Sequence, residues 1–470
     1  MHNKKKKLSL FNLVMISSAF VISIRNLPTI ADTQFKMIFF GIVAALIFFI
    51  PSGLVSAELA TGWPKMGGIA VWVTEAFGKR WGFAASFFQW TYMSISVIAM
   101  LYFISSSFAF VFNPKLAENR AYLICAGLIL IWLFTILNLK GLKISKQIAT
   151  IGFLSGVLFP AIVLIGLSIV YLMLGNPINI DLSVNAKNIF PDFKDISTIV
   201  LLVGFIRAFA GIEGSAAHAN SVQNPSRNYP IAILIVVVLG LLVNILGSMS
   251  VAFMIPQAKI SLVAGVMDAF VRCLELFKLS FFIPLFGFLV ALGQIGGFST
   301  WLTGPVKGIL ELAQEGQLPP FFQKENKYGV PSTLMIIQAV IISCTSTAFL
   351  LFTGSINAAF WTSVAFSMLI YVSMYFLMFL SALYLRYKKP NVERSYKVPG
   401  KKIGIWVVSL VGMIGMVLAF IIAFIPPSQL EDVKDKLLVH YLILMIGIIL
   451  VYFFPYLITA LKKSKWNIKK

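Results

Sequence analysis

Residues 204–214 read GFIRAFAGIEG and residues 22–28 read ISIRNLP, and each stretch lies inside an otherwise apolar run. In the first stretch, glycines surround the carboxylate of Glu213, and glycine readily adopts backbone conformations outside the helical region. In the second stretch, Pro28 removes a helical hydrogen bond close to the charged Arg25. Both stretches therefore predict helices that are interrupted near their middle.

The apolar runs indicate the class of protein. The chain has 470 residues, 59% of them hydrophobic and 12% charged, whereas a soluble domain carries about 25% charged residues. A membrane-spanning helix needs about 20 mostly apolar residues, and twelve runs meet that need. They predict an all-α integral membrane protein, with one transmembrane domain over residues 1–470. The predicted spans, numbered one to twelve below, are 9–33, 36–62, 83–112, 121–138, 148–175, 196–219, 230–255, 280–312, 332–352, 356–387, 403–426 and 438–462, with longer loops near 176–195, 256–279, 313–331 and 388–402.

The two interruptions fall in spans one and six. Broken helices at corresponding places in two halves indicate a transporter site. This pattern predicts two five-helix repeats of inverted topology, 9–175 and 196–387, followed by two further helices at 403–462. The alternative is that proline and glycine only bend these helices, as they often do in membranes.

A broken helix inside a membrane has a chemical consequence. Unwound backbone cannot face lipid, because its N–H and C=O groups would remain unpaired, so it must face protein or a wet cavity. The N-terminus of a half-helix then offers N–H groups to a carboxylate. Carbonyl groups opposite can accept from an ammonium group. The expected substrate is therefore an amino acid zwitterion.

The charge distribution predicts the orientation. The net charge is +21, and with the N-terminus inside, the inside segments carry most of the lysines and arginines, as the positive-inside rule requires. Both termini are therefore expected in the cytoplasm, and span one is read as a retained helix rather than a signal peptide, because it contains Arg25 and Asn26. These charges next to anionic lipid explain the basic character, so no nucleic acid is expected as a partner.

No catalytic or metal-binding pattern is present in the sequence. Cys125, Cys273 and Cys344 are scattered without metal-ligand spacing and are read as packing residues. A P-loop and a nucleophile elbow are both absent. The sequence therefore predicts no cofactor, no metal and no enzymatic activity, and coupling must come from gradients or exchange.

Four groups of residues carry a resemblance to a known family, and the resemblance extends over nearly the whole chain. They are PSGLVSAELA at 51–60 with WPKMGG at 63–68, GIEGSAAH at 211–218 with NPSRNYP at 224–230, GGFSTWLTGPVKG at 296–308 with LPP at 318–320 and GVP at 329–331, and span ten from Tyr371 to Arg386. They resemble the amino acid–polyamine–organocation transporter superfamily, and within it the glutamate/gamma-aminobutyrate antiporters. The resemblance implies a five-plus-five inverted-repeat fold, alternating access, and exchange or proton-coupled transport of amino acids. The chain departs from many members at the first interruption, where it reads SIRN instead of a glycine-rich segment.

Candidate site residues follow from the breaks and from the rule that ionisable groups inside a membrane are functional by default. The resemblance adds Trp301 and Tyr375, and Tyr371 shares a helix face with Tyr375. For the three aromatic residues the alternative is packing or anchoring at the membrane interface. The predicted substrate-binding residues are Ser23, Ile24, Arg25, Asn26, Phe209, Ala210, Gly211, Ile212, Trp301 and Tyr375, and the predicted proton-sensing or gating residues are Glu213, Glu58, His218 and Tyr371.

Each ionisable candidate has a structural alternative. Arg25 is expected either to contact a substrate carboxylate, which suits the bidentate geometry of arginine, or to form a fixed pair with Glu213 or another acid. Glu213 either changes protonation state or permanently caps the broken helix. The alternative for Glu58 is a structural partner of a neighbouring backbone group or base, and the alternative for His218 is an ordinary interfacial histidine.

Three functions are compatible with these residues. An amino acid antiporter is favoured over a proton-coupled symporter or permease of broader specificity. A non-transporting sensor is the third, and the lack of any soluble signalling domain counts against it. The expected partners are the amino acid, the lipid bilayer of the inner (plasma) membrane and, for a symporter, protons. The chain is expected to act as a monomer or a homodimer.

Overall fold

The computed structural model describes residues 8–64, 67–141, 151–194, 196–214, 222–426, 437–463 and 466, and within these ranges the chain is almost entirely helical. In these ranges, eleven helices are long and apolar enough to cross a membrane. This confirms the predicted all-helical membrane fold. The eleven helices are Leu10–Ala31, Gln34–Gly62, Lys79–Ala109, Arg120–Leu139, Ile151–Met173, Pro225–Met254, Ser280–Gln317, Ser332–Phe352, Ile356–Lys388, Lys401–Ile422 and Leu437–Ala460.

Span six is not among these eleven helices, and its described residues, 196–214, contain an interruption. Its described part consists of the short helices Ile196–Ile199 and Leu201–Ala208. Residues 209–211 then form a turn, residues 212–214 adopt a 3-10 conformation, and Gly211 has a φ of +111°. A backbone with that φ angle cannot continue a right-handed helix. The interruption therefore lies within the glycine-containing stretch that predicted it.

Span one is interrupted where Ile22 and Ser23 adopt extended backbone. The helix Leu10–Val21 ends before these two residues, whose ψ angles are 120° and 127°. A 3-10 turn at Ile24–Asn26 follows, and the helix Leu27–Ala31 then begins with Pro28 in its first turn. Proline is tolerated there because the first N–H groups of a helix have no intrahelical partner.

The predicted loop at 256–279 contains a helix, Gly265–Leu276. One face buries Val266 and Phe270, whereas Arg272 and Glu275 are exposed. Twelve residues are too few to cross the apolar core, so the hydropathy of the segment gave no span. A second short helix, Ile69–Phe77, precedes span three in the same way that Gly265–Leu276 precedes span eight.

The spans pack in matched pairs. Span one packs on span seven, and span six packs on span two. Span five packs on span eight, and span ten packs on span three. Spans three and eight pack extensively on each other. Each pairing thus has a counterpart in which every span is replaced by the span five positions away in the other half of the chain. The pairing of spans three and eight is its own counterpart.

Spans five and eight approach so closely that their main chains touch. A Cβ atom added at Gly156 would lie 2.3 Å from the carbonyl oxygen of Leu289 and 2.4 Å from the Cα atom of Gly293. A π-helical turn at Leu154–Leu158 surrounds Gly156. Only residues without a side chain permit such a contact.

Asp32 lies outside the membrane-spanning helices, between the end of Leu10–Ala31 and the start of Gln34–Gly62, and is only 7% exposed. The side chain of Gln257 donates to the main-chain oxygen of Asp32 at 2.7 Å. Burial raises the pKa of the Asp32 carboxyl to about 7, and hydrogen bonding from Gln257 opposes this rise. Among the described residues, no lysine or arginine forms an ion pair with Asp32.

We expect Asp32→Asn to raise thermal stability at pH 8 and to have little effect at pH 4. The unfolded carboxyl titrates near pH 4, so between about pH 4 and 7 the folded protein binds a proton that the unfolded chain releases. Below about pH 4 the carboxyl is protonated in both states and does not destabilise the folded protein. The folded protein then loses stability as the pH rises to about 7. Unfolding of detergent-solubilised protein at the two pH values checks this, with the exposed Glu325→Gln as control. Equal shifts at both pH values would contradict it.

Candidate functional site

The two interrupted segments lie side by side. A Cβ atom at Gly211 would lie 3.0 Å from the carbonyl oxygen of Phe20, and one at Gly214 would lie 2.9 Å from the Phe20 ring. The Nη1 atom of Arg207 in span six donates to the Oδ1 atom of Asn26 in the first interruption at 3.4 Å. The structure therefore brings the two stretches that opened the sequence argument into direct contact.

Glu213 connects the interruption in span six to span ten. Its carboxylate accepts a hydrogen bond from the hydroxyl of Tyr375, and the residue is only 7% exposed. Two residues earlier, the N–H of Gly211 donates to the hydroxyl oxygen of Tyr371 at 3.3 Å. The rings of Tyr371 and Tyr375 are 4.3 Å apart on one face of span ten. Span ten thus contacts the interruption through two predicted site residues.

Tyr92 of span three joins this aromatic group, although the sequence gave no reason to select it. Its ring centroid lies 4.5 Å from that of Tyr371 and 5.8 Å from that of Trp301. Tyr92 is also within electrostatic range of Arg25, Arg207 and Glu213. It is one of 14 tyrosines, and only its position in the fold distinguishes it from the others.

Arg25 and Arg207 are both buried, with 6% and 8% of their surfaces exposed. The Nε and Nη1 atoms of Arg25 and the Nη2 atom of Arg207 have no hydrogen-bond acceptor among the residues that the structure describes. Neither arginine forms an ion pair within the described part of the chain. The predicted alternative of a fixed pair between Arg25 and Glu213 is therefore not observed.

The other residues predicted in the breaks have different surroundings. The hydroxyl of Ser23 donates to the Oε1 atom of Gln294 in span eight at 3.1 Å, which links the first interruption to that span. Phe209 instead stacks on Phe49 of span two, with ring centroids 4.7 Å apart. Ile24, Ala210 and Ile212 are buried.

Glu58 lies in a different ionic cluster from Glu213. Its Oε1 atom is 2.6 Å from Nη1 of Arg386 and 3.5 Å from Nε of Arg394, and its Oε2 atom accepts from the N–H of Val398 at 2.8 Å. These contacts attach the 389–400 connection to the end of span two. They favour the structural alternative for Glu58 over a gating role. His218, the remaining predicted titratable residue, lies outside the described residues.

These observations define a multi-pass membrane protein in which two interrupted helices surround a buried group of charged and aromatic side chains. Residues 8–451 match the family model described as amino acid permease. The chain belongs to this amino acid permease family.

Relatives are similar over almost their whole length. An uncharacterised transporter of Legionella pneumophila is 38% identical over 458 residues, which are 97% of each chain. Glutamate/gamma-aminobutyrate antiporters of Lactococcus lactis, from subspecies lactis and cremoris, are 34% and 35% identical over 466 residues, or 98% of this chain and 92% of theirs. The resemblance inferred from the sequence motifs is confirmed.

Proposed function

We propose that this protein is a secondary amino acid antiporter that works by alternating access at the two helix interruptions. The observation that carries the proposal is the contact between two interrupted helices around Arg25, Arg207 and Glu213. Similarity over the full length to glutamate/gamma-aminobutyrate antiporters supports exchange of these two amino acids. The function is therefore movement of a solute and not its chemical conversion.

Burial of the site is the physical reason for alternating access. Arg25 and Glu213 are less than one-tenth exposed, and Tyr375 is 0% exposed. A dissolved amino acid cannot reach these groups while the helices keep this arrangement. The helices around the site must therefore rearrange to open it, first towards one side of the membrane and then towards the other.

We infer that residues 9–175 and 196–387 form two inverted repeats, with 403–462 as an addition. The matched span pairings support this inference. Leu8, before span one, forms a parallel bridge with Val222, which follows span six. The start of span one thus lies beside the end of span six, so the two spans run in opposite directions. The proposed location is the inner membrane, with both termini in the cytoplasm.

Counterflow in proteoliposomes tests the proposed function. We expect labelled glutamate to enter when the lumen holds unlabelled glutamate or gamma-aminobutyrate, because an antiporter must return to the outside with a bound solute. Empty proteoliposomes should take up little label, with or without a pH gradient. Uptake into an empty lumen driven by the pH gradient would show proton symport instead of antiport. Uptake equal to that of protein-free liposomes would reject transport.

A further inference from the structure

We propose that Arg25 and Arg207 together form a clamp for the carboxylate that glutamate carries on its side chain and shares with gamma-aminobutyrate, and that this clamp makes the site select substrates with this carboxylate over those without it. The inference rests on the proposed antiport and deepens it, because it assigns the selecting residues and the substrate group they recognise.

The first argument is the balance of charge. Arg25, Arg207 and Glu213 carry one surplus positive charge when all three are ionised. Arg207 is hydrogen-bonded to Asn26, the chain neighbour of Arg25, and both arginines are buried, so their like charges repel each other. A buried charge without a partner is costly. An anionic group placed between the two guanidinium groups relieves both the repulsion and the surplus.

The second argument is the geometry of the donors. Three nitrogen atoms, Nε and Nη1 of Arg25 and Nη2 of Arg207, lack acceptors. The other terminal nitrogen of Arg207, Nη1, donates to Asn26. The Phe360 ring lies 6.0 Å from the guanidinium carbon of Arg207. Arg207 is thus held in place while its free nitrogen remains available. Buried N–H groups in proteins are nearly always paired, and a carboxylate provides two acceptors with the spacing that guanidinium groups match.

The third argument comes from substrate chemistry. Removal of the α-carboxylate converts glutamate into gamma-aminobutyrate, so the two molecules share the amino group and the side-chain carboxylate. A clamp on the shared carboxylate lets one site accept both exchange partners. Glutamine keeps the α-carboxylate but has a neutral amide at the clamp, where it leaves the surplus positive charge of the site in place.

Competition on the wild-type protein tests the clamp without any substitution. Unlabelled gamma-aminobutyrate and isoglutamine, which is glutamate with an α-amide, should both compete with labelled glutamate in counterflow. Glutamine, with its amide on the side chain, should compete at least about tenfold less well. Competition by glutamine that equals or exceeds competition by isoglutamine would overturn the proposal.

Arg25→Gln and Arg207→Gln provide the second test. Each should raise the apparent KM for glutamate by at least about tenfold and leave competition by glutamine unchanged or stronger. The preference for glutamate over glutamine is then lost. Arg25→Lys keeps the charge without the planar fork and should fall in between. The exposed Arg272→Gln is the matched control and should behave as wild type.

The outcomes separate the clamp from the proposed function. Absence of exchange with every amino acid in the wild-type protein would reject antiport itself. Normal wild-type exchange, combined with unchanged preference for glutamate over glutamine in both glutamine variants, would reject only the clamp. Size-exclusion chromatography of each variant identifies misfolded protein, in which case the wild-type competition series decides the question.

Discussion

Replacing Glu213 by alanine is expected to lower the rate of glutamate exchange by about 10- to 100-fold. The hydroxyl of Tyr375 donates to the Glu213 carboxylate, and this is the contact between the interruption in span six and span ten that involves a charged group. A hydrogen bond to a charged group contributes about 1.5–3 kcal/mol, which corresponds to roughly that range of rates. Loss of the carboxylate also adds a further surplus positive charge beside Arg25 and Arg207. Initial rates of counterflow in proteoliposomes measure the effect.

A double-mutant cycle separates the hydrogen bond from the charge of Glu213. Glu213→Gln keeps an acceptor for Tyr375 but removes the charge, whereas Tyr375→Phe removes only the hydroxyl. If the contact couples the two spans, the effects of the single variants should not add in the double variant. Exchange rates within about twofold of wild type for both single variants would contradict a role for this contact in transport.

The second large effect is on stability, at Glu58. We expect Glu58→Gln to destabilise the protein by about 3–5 kcal/mol, because removal of one partner leaves buried opposite charges uncompensated. The side chains of Glu58, Arg394 and Arg386 are 3%, 1% and 10% exposed. Arg394 also donates to the carbonyl of Leu385 near the end of span ten, so the loss should loosen this end of the helix. Thermal unfolding in detergent measures the change.

Glu75→Gln is the matched control for Glu58. Glu75 pairs with Lys389 at 2.7 Å, but the two side chains are 25% and 39% exposed. Partly exposed ion pairs contribute about 1 kcal/mol or less. The control should therefore lower the unfolding temperature much less than Glu58→Gln. Similar shifts for the two variants would show that burial of the Glu58 cluster does not determine its stability.

The spans and their interruptions could be predicted because the signal is local. An apolar run of sufficient length, and glycine or proline within it, are visible in a short window around Gly211 or Pro28. Hydropathy could not reveal the short helix Gly265–Leu276, since only one of its faces is apolar. The signal for this helix is instead amphipathic, because its apolar residues recur with a period of 3.6 residues.

The site was harder to predict because its contacts join distant parts of the chain. Arg25 and Glu213 were selected as charges inside apolar runs, but the sequence did not indicate that Glu213 pairs with Tyr375 rather than with Arg25. Arg207 had no role before its contact with Asn26 was known. Tyr92 gave no signal, because a tyrosine in an apolar run is also typical of packing.

The contact between Gly156 and Gly293 limits which sequences this fold can accept. A methyl group at either position would wedge the main chains of spans five and eight apart, although neither glycine has a side chain that could bind a solute. The residue after Gly293 is Gln294, whose amide oxygen accepts a hydrogen bond from the Ser23 hydroxyl. Any substitution that pushed spans five and eight apart would therefore also move Gln294 away from Ser23 in the first helix interruption. Protein engineers who vary the lining of the site should keep both glycines fixed.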